Sequence, residues 1–261
     1  MKITMVALGL WLAVSAEHIA IAAETSSTSR FDAAIQANAT RLTAKKEFSA
    51  VQATVEDGIV TLTGNVDLYQ RKLDATNKVR KLANVQGVRN LIAVNGNVSD
   101  ALLVVALDRK LYYDRLAQDN VFNYVTASAD SGVVTLSGET RNEFDRDSAL
   151  WLVDNTTGVR DVIDNIKVAP ASTFDDRIRI SALRAIYRDP VLSRYAIDPA
   201  KPIRIVVDHG HLTLYGTVAS TLEKQAAGLR ASQVFGAFTL ENHLQVEKRS
   251  MSGNTVYGSK P

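Results

Sequence analysis

The 261-residue chain contains no cysteine. That absence removes disulfides, thiol catalysis, cysteine metal sites and a lipidated N-terminal cysteine together. Any excess of one sign of charge is also small. The formal net charge is +2 and the sequence pI about 8.7, too mild a bias for a nucleic-acid partner. Histidine is limited to His18, His209, His211 and His243. No His-Glu-x-x-His, phosphate loop or nucleophile elbow occurs. Beyond the N-terminus no apolar run is long enough to span a bilayer. These gaps argue for a protein without catalytic residues, cofactor, metal or small-molecule substrate.

What is present begins with Lys2 and an apolar stretch, ITMVALGLWLAVSA, followed by Glu17 and His18. A short basic start, an apolar core and small residues after it read as a secretory signal peptide over residues 1–23, with cleavage after Ala16 or Ala22. The mature chain is then exported, with the bacterial periplasm as its expected location; the same signal would serve full secretion. Residues 24–30 are polar and read as a flexible lead-in, and the polar tail 249–261 reads as disordered.

Between them one phrase recurs: DGIVTLTG at Asp57–Gly64, SGVVTLSG at Ser131–Gly138 and HGHLTLYG at His209–Gly216. Gly58, Gly132 and Gly210 lie 74 and 78 residues apart. That period exceeds the roughly 20–50 residues of solenoids and implies three small domains, at 31–98, 99–171 and 174–248. Each phrase predicts a β-hairpin with a two-residue turn. In the third, Val207 faces Leu212 and Ile205 faces Leu214. In the first, Val55 faces Val60 and Ala53 faces Leu62. In the second, Ala129 faces Val134 and Ala127 faces Leu136. A one-residue slip would reverse every face, so the agreement fixes the register. Such a turn needs positive φ at both positions, which glycine supplies at the second.

A helix precedes each hairpin, with Ile180, Leu183 and Ile186 or Tyr187 at helical spacing in the third copy. The hairpins are expected to end at Gly64, Gly138 and Gly216. A second helix follows, carrying Leu222, Ala226 and Leu229, or Phe144, Ser148 and Trp151, as its apolar stripe. Gly87, Gly158 and Gly236 read as its left-handed C-terminal caps. On that alignment the first copy is three residues longer than the others. A last strand closes a helix-strand-strand-helix-strand module, an α+β arrangement with a three-stranded sheet packed on two helices. Strand order is not specified by the pattern.

Glycine, then V-x-L-x-G, a helix, and G-V-x-x-V-x-N-x-L-x-V resembles the BON domain, typical of periplasmic and other envelope proteins of bacteria. The third copy carries Gly210, Leu212, Leu214, Gly216, Gly236, Leu240, Asn242, Leu244 and Val246. The second has Asp164 where asparagine is usual. The first matches through Gly64 and at Gly87-Val88, but its LIAVNGNV departs from the pattern. The resemblance implies association with phospholipid, in the setting of osmotic or envelope stress.

Two stretches are candidate contacts. Arg71, Lys72, Lys78, Arg80 and Lys81 crowd together in the first repeat, either a solvated helix face or a site for anionic headgroups. In DALLVVALDRKLYY, Leu102 to Leu107 are apolar on all sides. A helix of that kind is normally buried. Otherwise Leu103 and Leu107, with Tyr112 and Tyr113 at the interface level, would enter lipid or grip an unfolded client. The expected partners are accordingly an anionic phospholipid surface or envelope proteins. The alternative is a holdase-like chaperone or adaptor. A metal-dependent hydrolase at the His209–His211 turn is a third reading, set against plain solvent-exposed turn histidines. A module of about 70 residues has little room for a pocket of the usual ~300 Å³ or more.

Overall fold

The structure is a computed structural model that describes residues 29–113, 120–198 and 202–247. The signal peptide and tail read from the sequence lie outside those residues. The described residues fall into two units divided after Gly96, the first holding the first repeat and the second holding the second and third.

Each repeat follows one order. The first has α1 (Asp32–Thr43), β1 (Val51–Glu56), β2 (Ile59–Val66), α2 (Tyr69–Arg80), β3 (Gly87–Asn90) and a short β4 (Ala93–Val94). The second has α3 (Asp100–Tyr113), β5 (Tyr124–Asp130), β6 (Val133–Thr140), α4 (Glu143–Asp154) and β7 (Asp161–Val168). The third has α5 (Thr173–Tyr187), β8 (Arg204–Asp208), β9 (His211–Tyr215), β10 (Thr217–Val218), α6 (Thr221–Ser232), β11 (Thr239–Asn242) and β12 (Gln245–Val246). In every sheet the second hairpin strand is central. It pairs antiparallel with the first and parallel with the last, which returns through the second helix.

The hairpin registers are those the sequence predicts, from Val55↔Val60 to Ile205↔Leu214. Asp57, Ser131 and His209 all hold positive φ beside their glycines. The hairpins do not end at the second glycine. β2 and β6 run two residues past Gly64 and Gly138, and Gly216 divides β9 from β10. These glycines serve close approach instead: at Gly138, with φ +126°, a Cβ would collide with the Tyr124 carbonyl oxygen.

The first turn of each first helix carries an aspartate whose carboxylate accepts both turn N–H groups of its own hairpin. Asp32 binds Asp57 and Gly58, Asp100 binds Ser131 and Gly132, and Asp175 binds His209 and Gly210, at 2.8–3.2 Å. The clasp sets which helix face meets the sheet. Counting from it, Ile35, Leu103 and Ile178 fall at the same place and are buried, as do Ala39, Leu107 and Ala182. Opposite them the second helices bury Ala75, Ala149 and Ala227, then Val79, Val153 and Ala231, all 0% exposed. Small residues let helix and sheet approach closely.

The last turn before the final strand corrects the glycine alignment. Gly158 and Gly236 adopt positive φ, but in the first repeat it is Asn84, not Gly87, that does so. Each lies four residues beyond a twelve-residue helix. The first repeat is therefore not longer; asparagine, which tolerates the left-handed region, stands in glycine's place. Its final strand also keeps the pattern, with Val88, Asn90, Ile92 and Val94. The Asn90 amide donates to the Lys72 carbonyl and its oxygen accepts from Ile92, as Asn242 does with Lys224 and Leu244. Asp164 cannot donate, and there Arg146 replaces the lysine and binds the carboxylate.

The second and third repeats share a core. The turn Asn120–Phe122 places Val121 and Phe122 among Ile178, Ile186, Leu192 and Ile205. Tyr124 stacks on Tyr215 with centroids 4.2 Å apart, and Arg141 pairs with Asp176 at 3.2 Å.

Candidate functional site

The five cations of the first repeat do not form one face. At 100° per residue, Arg71 and Lys78 share a side of α2, while Lys72, Arg80 and Lys81 point to three other directions. Arg71 is held by Asp67 at 2.8 Å and Lys78 by Glu47 at 2.5 Å. The bond from Lys78 lowers the Glu47 pKa. The sequence crowding thus resolves into paired and scattered charges.

Leu103 and Leu107 are both 0% exposed, so the structure places them in the core of the second repeat, unavailable to lipid or client. The exposed large apolar residues of α3 are Leu102 and Val105, with Tyr113 at its end. Tyr112 is half-buried, and burial pushes its pKa up to about 12. The apolar stripes read on α4 and α6 face the other way from expectation: Phe144, Trp151, Leu222 and Leu229 are exposed. The first repeat has Gln70 and Asn77 at the equivalent positions.

The three described histidines are exposed. His209 bonds Asp208 at 2.6 Å, His211 bonds Thr239 at 2.6 Å and His243 bonds Glu241 at 2.9 Å. Among the described residues no group of three His, Asp or Glu side chains is arranged to hold a metal.

An arrangement not singled out in the sequence lies on α5. Arg177, Arg184 and the capping residue Arg188 fall within about 40° of one another at 100° per residue, and all three are exposed. None is in an ion pair among the described residues. Arg179, between them in sequence, points inward and binds Asp176 and the Val207 carbonyl. The spacing i, i+7, i+11 was the available signal, hidden by the interleaved buried arginine. At the N-terminal end of this ridge Phe174 lies 5.7 Å from Phe238, which rests against Gly210. Phe238 is 70% and neighbouring Phe235 98% exposed. The second repeat has Arg160 and Thr157 in those places, so the aromatic tip belongs to the third alone.

One buried carboxylate titrates near neutrality. Asp154 ends α4, where the helix dipole disfavours an anion, and burial raises its pKa to about 6. The native state therefore holds this proton more tightly than the unfolded chain. The penalty is absent below the unfolded value, grows as pH rises, and is complete above about pH 6. Asp154→Asn is expected to stabilise the protein by about 2–3 kcal/mol at pH 7.5 and to leave it unchanged at pH 3.5, as thermal melts at the two pH values will read.

Among the described residues no helix is long and apolar enough to cross a membrane. A family model for the BON domain matches residues 31–96, 105–170 and 188–248. No curated protein matches the chain. Among solved structures, similarity is found to CdsD, a structural protein of the type III secretion system of Chlamydia trachomatis. It is 13% identical over 80% of this chain and 90% of that one, with a TM-score of 0.24. The periplasmic domain of the type III secretion inner-membrane protein PrgH from S. typhimurium is 12% identical over 79% and 100%, with a TM-score of 0.18. Superpositions this loose establish no common architecture.

Proposed function

The chain belongs to the BON domain family, and from that premise we propose that it is a non-catalytic protein of the bacterial envelope that binds anionic phospholipid surfaces, a role suited to osmotic or envelope stress. The observation that carries this reading is the arginine ridge of α5 with the phenylalanine tip at its end. Three unpaired guanidinium groups on one face suit a layer of phosphate headgroups, and exposed phenylalanines suit the apolar boundary beneath it. Near an anionic surface each arginine contributes about 1 kcal/mol.

Sedimentation with phosphatidylglycerol vesicles at low ionic strength tests the proposal. Binding is expected to weaken with salt and to fall roughly a hundredfold when Arg177, Arg184 and Arg188 are replaced by glutamine, the equivalent of about 3 kcal/mol. Phosphatidylcholine vesicles serve as the uncharged control. No salt-sensitive sedimentation would remove the lipid reading. The adaptor reading has its own support in the outward-facing Phe144, Trp151, Leu222 and Leu229. Partner capture lost on Phe144→Ser with Trp151→Ser, and indifferent to the arginines, would favour it.

A further inference from the structure

A single module is too small for a deep pocket, but the junction of the second and third repeats encloses a cavity of about 270 Å³. Asp108, Tyr112 and Tyr124 line it from one repeat, and Arg204 and Gln245 from the other. Arg204 is only 6% exposed. Removing a guanidinium from water is costly unless an anion or full hydrogen bonding compensates it. Arg179, also deeply buried, meets that requirement with Asp176 at 2.8 Å. Arg204 does not. Its Nη2 donates at 3.4 Å to the Tyr112 carbonyl, and the Tyr112 ring lies 5.2 Å from its central carbon. Among the described residues no carboxylate forms an ion pair with it, although the charge of Asp198, which is hydrogen-bonded to Tyr112, favours its protonated form. Burial accordingly depresses its pKa. The remaining acid in the wall, Asp108, is engaged by the Ala127 N–H, and burial raises its pKa.

We propose that this junction cavity binds a small oxyanion, a carboxylate or a phosphate monoester, whose charged end meets Arg204 and whose remainder lies against Tyr112 and Tyr124. The volume sits at the lower edge of ligand pockets, so the ligand is small. This site is separate from the α5 ridge, and its failure would leave the lipid reading intact.

Isothermal titration of the full chain with inorganic phosphate and, separately, with acetate tests the site, each against sodium chloride at equal ionic strength. Saturable binding of one or both is expected, and the stronger identifies the class. Arg204→Gln should weaken it at least tenfold. Because loss of a buried arginine can unsettle the junction, Thr217→Trp provides the second variant. Thr217 is an exposed residue of the same wall, and the indole would obstruct the mouth while leaving Arg204 in place. The same loss with an unchanged melting temperature is expected. No saturable heat from either anion in the unmodified chain overturns the proposal. So does binding that survives both substitutions.

Discussion

Leu107→Ala is expected to lower the melting temperature by on the order of 10 °C. The side chain is fully buried, and truncating a buried leucine costs about 2–5 kcal/mol. In a unit of this size each kcal/mol shifts the transition by roughly 2–4 °C. Leu102→Ser and Val105→Ser, one residue before Leu103 and two before Leu107 but exposed, are expected to stay within about 0.5 kcal/mol of the parent. Thermal melts of the three variants separate the faces of the helix. A Leu107→Ala protein melting with the parent would mean that α3 does not close this core.

Asp175→Ala is expected to cost about 2–4 kcal/mol, since it removes a buried acceptor and leaves two backbone donors unmet. The carboxylate is 2% exposed and holds the His209 and Gly210 N–H groups at 3.2 and 2.8 Å. It also lies in the first turn of α5, where an anion is favoured. The loss should appear both in the melting temperature and as faster hydrogen exchange at those two amides. Unchanged exchange there would show that the turn holds its left-handed geometry without the clasp. Asp100→Ala should cost less, because its turn is more exposed.

The hairpins were legible because a period of two, a two-residue turn and one apolar face leave a single register. The second helices were not legible by the same means. Phe144 and Trp151, or Leu222 and Leu229, are spaced to form a stripe, yet the buried stripe consists of Ala149 and Val153, or Ala227 and Ala231. Bulk does not by itself mark a core face, and on these helices the face toward the sheet is taken by smaller residues. The glycine alignment failed for a related reason. What the backbone requires before the last strand is positive φ, which Asn84 satisfies as Gly158 and Gly236 do. Matching glycine to glycine therefore selected Gly87 and displaced the whole final strand.

The ridge on α5 was readable in principle, as three arginines at i, i+7 and i+11. The junction cavity was not. Its walls come from Tyr112, Tyr124 and Arg204, which no local periodicity brings together. The clasp aspartates were visible only as acids in a first helical turn, a position with an ordinary electrostatic explanation.

Val121 and Phe122 of the second repeat fill the interior of its neighbour. The last two copies are therefore not interchangeable cassettes. A recombination event that deleted the middle copy, or joined the final one to a foreign sequence, would leave an unfilled void beneath α5. Descent should accordingly keep this pair together as one heritable block, however freely single copies of the domain are exchanged elsewhere.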